Sequence, residues 1–352
     1  MSFDPWLSLP HALGGPAGSG RIRERAADFR VAEELGFKPR GAGEHLFLRL
    51  RETGCNTAWV AGRIARWAGR PRSDVGYAGM KDRHAVTEQW FSVRCPGGRH
   101  PDPDTLAVPG VELVAAARHD RKLRRGALTG NRFRLRVTDL AADPQRLLAR
   151  LESVRARGVP NAFGPQRFGR EGGNLRIAAD WFGGGPEPRR ELRGFALSAA
   201  RSLIFNAVLA ERIAAADWER ASPGDPVQLD GRGSWFIAQA DDDALAGRLA
   251  ALEVHATGPL WGRGDAPGDG PGAALEKAVA ARYSDFAAGL AEAGLDQERR
   301  ALRARVRDLE WRLDDGVLEV AFGLPAGSYA TAVLRELLDT PPAESSATSQ
   351  AP

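Results

Sequence analysis

Alternation of apolar and polar residues predicts β-strands in several parts of the chain. Glu44 to Leu50 alternates cleanly and places the leucines at 46, 48 and 50 on one face. Residues 28–34 and 131–137 follow the same period of two, which is typical of strands with one buried face. Residues 309–313 and 317–322 flank an Asp-Asp-Gly sequence, a turn signal that predicts a β-hairpin.

Recurrence of apolar residues at helical spacing predicts helices elsewhere. One is expected to begin after Asn56, a suitable N-cap, and to run to about Ala68, with Gly69 just beyond its end. Trp59 and Trp67 fall at apolar positions of this helix, and we expect both in the core. The other predicted helices are 144–157, with Leu147, Leu148 and Leu151 on its apolar side, the strongly apolar core helix 197–216, 275–307 and 331–338.

Length and composition indicate an ordinary globular protein. At 352 residues two domains are expected, and no apolar run approaches the length of a membrane span. The first residues lack the layout of a signal peptide, and Cys55 and Cys95 suggest no disulfide framework, so we expect a reducing cytoplasm. None of the six histidines has metal-ligand spacing and no cofactor motif is visible, so we expect neither metal nor cofactor.

The charge of the chain comes mainly from arginine. The net charge is +4, and lysine occurs only at positions 38, 81, 122 and 277. Because the guanidinium fork matches phosphate geometry, this composition fits a phosphate-bearing partner. It fits equally well a GC-rich genome, which favours arginine codons without functional meaning.

The segment from Arg118 to Arg136 is the strongest electrostatic feature. It carries eight basic residues against one acid, Asp120. Within it the arginines at 132, 134 and 136 point to one side of a strand, and the apolar residues at 133, 135 and 137 point to the other. Such a row is either a solvated edge or a surface that follows an RNA backbone, and the density of charge favours the second interpretation.

A short polar stretch carries the candidate chemistry. Residues 75–80 and 89–93 read as two strands of a hairpin, and the residues 81–84 between them are Lys, Asp, Arg and His. Asp82 lies between two cations, which favour its ionised form and suit it to act as a nucleophile. The alternative is an ordinary solvated turn, but Gly79 allows close backbone approach, and Thr87 and Gln89 are placed to orient the carboxylate.

Several motifs together resemble the TruD family of tRNA pseudouridine synthases. They follow one another along nearly the whole chain, and their order and spacing are far more specific than any one of them. The matching motifs are Asp28, Phe29, Val31 and Glu33; the segment 79–89; Gly130, Asn131 and Phe133; the segment 160–169; 197–202; 231–233; and 324–330.

The resemblance implies an enzyme that isomerises uridine to pseudouridine in tRNA, for bacterial members at uridine 13. Asp82 occupies the position of the catalytic aspartate, and Arg23 that of a basic residue that pairs with it. By the same matching, Phe29, Asn131 and Tyr329 line the uridine pocket, with Phe133 beside them. Two departures are alanines at 26 and 27, where the family often has Pro-Glu, and Tyr329, where many members have phenylalanine.

The fold implied by the resemblance is α+β. A catalytic domain with a mixed, mainly antiparallel sheet is expected from residues 1–156 and 306–340. An inserted α/β domain is expected at 157–305, and the loop 158–169, rich in Gly and Pro, fits a hinge at its start. Residues 341–352 are expected to be disordered.

The implied reaction moves a bond from N1 of uracil to C5 and needs no cofactor. The expected partner is tRNA, with no membrane and no required protein partner. Asp82 acts either as the nucleophile on ribose or as a base that first removes a ribose proton, and both remain open. Two other functions are considered: a hydrolase that excises a base from RNA, and an RNA-binding protein without catalysis.

Overall fold

The computed structural model of the chain describes residue 6 and residues 8–341. The strands are β1 Gly18–Ile22, β2 Phe29–Leu35, β3 His45–Thr53, β4 Val75–Tyr77, β5 Val86–Arg94, β6 Val111–His119, β7 Leu128–Ala142, β8 Val159–Pro160, β9 Pro226–Leu229, β10 Trp235–Ile237, β11 Val254–Leu260, β12 Glu298–Ala301, β13 Arg303–Ala304, β14 Arg307–Asp314 and β15 Val317–Pro325. The helices are α1 Thr57–Trp67, α2 Pro144–Arg157, α3 Pro165–Phe168, α4 Gly173–Phe182, α5 Arg190–Ala214, α6 Leu245–Ala250, α7 Pro271–Arg282, α8 Ser284–Glu292 and α9 Ala330–Leu337.

The chain packs as two compact units. The sheet unit consists of Gly18–Asp143, Arg307–Gly327 and the described residues of Asp339–Pro352. The helix-rich unit consists of Pro144–Val306, Ser328–Leu338 and the described residues of Met1–Ala17. These units are defined by packing, and the boundaries expected for a catalytic and an inserted domain stay a prediction. The tail expected to be disordered lies outside the described residues except for its first residue.

The sheet unit is built on a nine-stranded sheet. Its main strand order is β14-β15-β7-β2-β5-β3-β6, with β1 paired to β7 and β4 paired to β5. Every pairing is antiparallel except that of β2 with β5. The expected mixed, mainly antiparallel sheet is confirmed, and so are the strands predicted from alternation. At the predicted hairpin between β14 and β15, Asp315 and Gly316 both have positive φ, as a tight turn of this kind requires.

Helix α1 covers one face of this sheet. Asn56 caps it as predicted, because its Oδ1 accepts hydrogen bonds from the backbone N–H groups of Ala58 and Trp59. The helix packs its buried residues, among them Val60 and Ile64, against the leucines at 46, 48 and 50 of β3. Trp67 packs partly against this core, but the prediction for Trp59 is wrong. Its side chain is 46% exposed, with the Arg63 guanidinium 6.0 Å from its ring centre.

The helix-rich unit is organised around α5. Predicted as the core helix, it is 25 residues long and starts seven residues earlier than expected, at Arg190. Among the described residues it is the one helix long and apolar enough to span a membrane, by length and composition only. Its most apolar window is 61% buried inside the protein, which is also the behaviour of a core helix.

Two other helix predictions need correction. The helix expected at 275–307 is broken at Tyr283 and ends at Glu292, and Gly294 follows with φ +83°. Beyond it, β12 pairs with β11 and joins the sheet β10-β9-β11-β12 of the helix-rich unit. Helix α2 has the predicted bounds, but Leu148 is exposed while Leu147 and Leu151 are buried.

Candidate active site

Strand register puts several of the predicted site residues on one face of the large sheet. In the pairing of β2 with β7, Glu33 lies opposite Asn131 and Val31 lies opposite Phe133. Since residues directly opposite each other point to the same face, and residues two apart share a face, Phe29 belongs to this face as well. The arginines at 132, 134 and 136 therefore point to the opposite face of β7, as predicted from the alternation.

The segment that carries Asp82 crosses this face after strand β4. Residues 78–85 have no regular secondary structure and connect β4 to its antiparallel partner β5. The backbone N–H of Lys81 donates to Thr57 Oγ1 at 3.0 Å, and that hydroxyl donates to Gln89 Oε1 at 3.2 Å. Both side chains are buried, so this relay fixes the backbone directly before Asp82. Gln89 thus acts on the backbone of the segment through Thr57.

Both oxygens of the Asp82 carboxylate are held in place. Oδ2 lies 3.0 Å from Arg23 Nη1, and Oδ1 accepts a hydrogen bond of 3.0 Å from the His84 backbone N–H. The Asp82 side chain is 25% exposed, so the group is oriented and still open to a ligand. The predicted pairing with Arg23 is confirmed by this geometry.

The cations that flank Asp82 in sequence have other contacts. The Lys81 ammonium lies 2.8 Å from Glu33 Oε1 and donates to Asn131 Oδ1 at 2.9 Å. Arg83 Nε donates to His84 Nε2 at 3.1 Å. The Asp82 carboxylate thus has a cationic partner, Arg23, from a distant part of the chain, in addition to the cations beside it in sequence.

Arg23 also contacts an aromatic side chain. Its guanidinium lies 4.2 Å from the centre of the Phe29 ring, within the range of a cation–π interaction. Its Nε is buried and has no hydrogen-bond partner in the described part of the chain. A buried donor without a partner is uncommon.

Phe29 and Phe133 form an apolar wall beside this ion pair. Phe29 is only 4% exposed and meets Phe133 edge to face, with ring centres 6.3 Å apart. Phe133 stacks in turn on Phe322 of β15, at 5.5 Å. The structure therefore brings Arg23, Phe29, Asp82 and Phe133 together, as the resemblance predicts.

Asn131 is joined to the same group through Lys81. Its Oδ1 accepts from the lysine ammonium, so its amide nitrogen faces elsewhere, and that nitrogen makes no hydrogen bond within the described chain. The buried Glu33 pairs with Lys81 through one oxygen and accepts from the Trp90 backbone N–H through the other. Asn131 thus presents two free N–H donors, which suit a carbonyl oxygen of a base.

Sequence reasoning missed a buried acid on the same face. Glu52 lies opposite Thr87 in the pairing of β3 with β5 and is 1% exposed. Neither of its carboxylate oxygens has a hydrogen-bond partner in the part of the chain that the structure describes. Burial raises the pKa of Glu52 to about 8, the nearby carboxylate of Glu33 adds to this, and Lys81 opposes it. The signal was available, because Glu52 continues the face of the leucines 46, 48 and 50 and is polar at a core position.

Tyr329 belongs to the helix-rich unit, where it precedes helix α9. Its hydroxyl accepts a hydrogen bond of 3.1 Å from Arg167 Nε, and its ring meets Phe163 edge to face at 6.2 Å. The Arg300 guanidinium lies 4.1 Å from the centre of the Phe163 ring. Burial lowers the pKa of Arg300 to about 10, with Tyr329 opposing the shift and Arg167 adding to it.

Asn161 ties this second cluster together. Its Oδ1 accepts hydrogen bonds from Arg300 at 2.6 Å and from Ser328 Oγ at 2.9 Å, and its amide donates to the Ala301 carbonyl. Asn161, Phe163 and Arg167 all lie in the segment 160–169 that matches the family motif, and the loop 158–169 was expected from sequence to be a hinge or a binding loop. Their contacts with Ser328 and Tyr329 explain why these two motifs occur together.

Comparison with known proteins identifies the family. A model of the tRNA pseudouridine synthase D (TruD) family matches residues 11–182 and 187–337. The tRNA pseudouridine synthase D of Nitrosococcus oceani is 48% identical over 335 residues, covering 94% of each chain. That of Methylococcus capsulatus is 48% identical over 339 residues, covering 95% of each chain.

A solved structure shows the same fold. A Methanosarcina mazei protein, provisionally assigned as tRNA pseudouridine synthase D (TruD), superposes with a TM-score of 0.70 at 21% identity, over 94% of this chain and 95% of that one. The fold is α+β, as expected from the motifs. With a family match over most of the chain and relatives of nearly half-identical sequence, the chain belongs to the tRNA pseudouridine synthase D (TruD) family.

Proposed function

We propose that this protein isomerises uridine 13 of tRNA to pseudouridine, with Asp82 as the nucleophile. Membership of the family makes the chain an isomerase of the tRNA pseudouridine synthase kind. The target position and the role of Asp82 are the proposal. One observation carries it: the Asp82 carboxylate is held by Arg23 and by the His84 N–H while a quarter of its side chain stays exposed.

The proposed reaction begins when the target uridine leaves the RNA stack, because the enzyme must reach the sugar and turn the base. The Asp82 carboxylate attacks C1′ of the ribose, the C1′–N1 bond breaks, and uracil leaves with the electron pair. The base turns, C5 bonds to C1′, and the carboxylate is released. C5 loses its proton and N1 gains one, so the atoms balance without oxidation or hydrolysis, and no cofactor is required.

The neighbouring residues suit this reaction. Arg23 orients Asp82. Phe29 and Phe133 supply an apolar wall, which offsets part of the stacking that the base loses. The free amide of Asn131 donates to a carbonyl of uracil. The assignment of Tyr329 to the same pocket rests on the family motif and stays a prediction.

Three further parts of the proposal follow from the family match. Residues 1–156 and 306–340 form the catalytic domain, and residues 157–305 form the inserted domain. The partner is tRNA, with no protein partner required and no role for a membrane. The protein works in the cytoplasm, where tRNA is found.

The test is to map pseudouridine in uridine-labelled tRNA transcripts after incubation with the wild type, Asp82→Asn and Asp82→Ala. We expect pseudouridine at position 13 with the wild type and none with either variant. A transcript with cytidine at position 13 is the matched substrate control and should stay unmodified. Because Asp82→Asn is close in shape, loss of turnover with retained tRNA binding assigns the carboxylate to chemistry.

Other outcomes separate the alternatives. Release of free uracil by the wild type would show a base-excising hydrolase. Tight tRNA binding without any pseudouridine, equal in the wild type and Asp82→Ala, would show an RNA-binding protein. Pseudouridine at another position would correct the target, and full activity of Asp82→Asn would remove Asp82 from the mechanism.

A further inference from the structure

A groove on the sheet unit lies outside the residues used so far. Its volume is ≈ 740 Å³, within the range of ligand sites of roughly 300–1,000 Å³. It is lined by the first part of the segment after β2, including Phe37, by the end of β6 and by the loop between β6 and β7. This loop is the most basic part of the sequence, and the proposed reaction gives its cations no role.

The groove carries excess positive charge. Five cations line it, Lys38, Arg40, Arg121, Lys122 and Arg124, against the single acid Asp120. That acid is already neutralised, because Arg40 Nη1 lies 3.0 Å from its Oδ2. Lys38 and Arg124 make no ion pair with any residue in the described ranges. The uncompensated charge favours a ligand with more than one phosphate.

An exposed aromatic ring stands among these cations. Phe37 is 37% exposed, although its position is fixed from behind. Its ring stacks on that of His119, with centres 4.9 Å apart and planes 23° apart, and meets the buried Phe47 edge to face at 6.2 Å. An exposed ring held in one orientation between cations is the arrangement on which a nucleic-acid base stacks.

Hydrogen bonds connect the loop that lines the groove to the segment that carries Asp82. The Gly126 N–H donates to the carbonyl of Ala78 at 2.9 Å, four residues before Asp82. The Leu123 N–H donates to Ser92 Oγ on β5, also at 2.9 Å. The loop that lines the groove is therefore hydrogen-bonded to the segment that carries Asp82 and to the strand that follows it.

We propose that this groove is a second nucleotide-binding site, which holds a nucleotide of the tRNA that is not the target. Phosphates of this part of the RNA bind Lys38, Arg121 and Arg124, and one base stacks on Phe37. The inference rests on the proposed function, because the ligand is the same tRNA. Its role is to anchor the substrate, and it takes no part in bond breaking.

The first test removes charge from the groove. We compare the wild type, the double variant Arg121→Ala with Arg124→Ala, and a control that removes two exposed arginines elsewhere, Arg66→Ala with Arg99→Ala. The groove variant should raise the KM for tRNA about tenfold and leave kcat unchanged. The slope of log Kd against log salt should become shallower by roughly 1.4–1.8, as expected for two lost phosphate contacts. The control should match the wild type.

The second test addresses stacking. Phe37→Leu should raise the KM for tRNA, whereas Phe37→Trp, which keeps an aromatic ring, should have a KM close to that of the wild type. A loss of packing alone would raise the KM of both variants. Thermal melting checks that each variant folds. The inference would be overturned by any of three results. These are an unchanged KM in both the double arginine variant and Phe37→Leu, a rise in KM of the same size in the control variant, or a fall in kcat without a change in KM. These results are distinct from failure of the proposed function, in which the wild type forms no pseudouridine at all.

Discussion

The Nη1 atom of Arg23 lies 3.0 Å from the Oδ2 atom of Asp82, although the two residues are 59 positions apart in sequence. Arg23 has positive φ (63°), so the backbone adopts an unfavourable conformation at the residue that delivers the guanidinium. Strain of this kind is common at functional sites, where the surrounding structure enforces it. The pair is therefore the natural place to test the site.

Arg23→Ala should slow pseudouridine formation roughly 10- to 100-fold, because a hydrogen bond to a charged group contributes about 1.5–3 kcal/mol. The measurement is the single-turnover rate with saturating tRNA. Arg23→Lys retains the charge but loses the planar contact with Phe29, so we expect an intermediate rate. Arg21→Ala removes an exposed arginine two residues away and serves as control. Equal rates for Arg23→Ala and Arg21→Ala would contradict the assignment.

Lys81 is expected to matter for stability as well as for the site. Its ammonium is the counter-charge of Glu33, whose side chain is fully buried. Lys81→Met should lower the free energy of unfolding by about 3–5 kcal/mol, because it leaves a buried carboxylate without its partner. Urea denaturation measures this change.

A double variant controls for the loss of packing. Combining Lys81→Met with Glu33→Gln removes both charges, so the unfolding free energy should recover in part compared with Lys81→Met alone. The single variant Glu33→Gln completes the comparison. If Glu33→Gln lowers the unfolding free energy by the same amount in the Lys81→Met background as in the wild type, the two side chains act independently and the ion pair contributes nothing.

Local patterns in the sequence were sufficient for much of the sheet unit. Alternation located β3 and β7, and an Asn followed by helical spacing located the start of α1. These features depend on neighbours within a few residues, which is why they can be read from sequence. The site residues Phe29, Asn131 and Phe133 came from family motifs, since their meeting depends on strand register between distant segments.

The failures have long-range causes. Residues 298–301 lie in an alanine- and arginine-rich stretch with high helix propensity, but pairing with β11 makes them a strand. Trp59 has helical spacing with buried residues, yet it lies at the edge of the apolar face of α1. No local pattern identifies Arg23 as the ion partner of Asp82, because the two residues are distant in sequence, and the assignment came from the family resemblance.

The hydroxyl of Tyr329 can be tested directly. It accepts a hydrogen bond from Arg167, so Tyr329→Phe should lower the free energy of unfolding by about 0.5–1.5 kcal/mol. Because the phenylalanine retains the ring, Tyr329→Ala should slow pseudouridine formation more than Tyr329→Phe. Arg167→Ala combined with Tyr329→Phe should show a non-additive effect on stability. Strict additivity would mean that the hydrogen bond does not contribute.

Glu52 predicts a pH dependence of stability. Burial, and then the neighbouring Glu33, raise its pKa from 4.5 to about 8 in the folded protein, against the smaller opposing effect of Lys81. Between these two values the folded state binds a proton that the unfolded state has released, so the free energy of unfolding falls as pH rises. The contribution of this group is at most about 1.4 kcal/mol per pH unit, and it ends above pH 8, where both states are ionised.

Glu52→Gln removes this titration while preserving the shape of the side chain. Its unfolding free energy relative to the wild type should therefore increase steadily from about pH 5 to about pH 8 and then level off. Urea denaturation of both proteins at several pH values measures the difference. Glu112→Gln changes an exposed acid on the adjacent strand β6 and serves as control. Its free energy of unfolding should change with pH in the same way as that of the wild type. A constant difference between Glu52→Gln and the wild type over this range would mean that Glu52 is ionised in the folded protein, and that a cation compensates it.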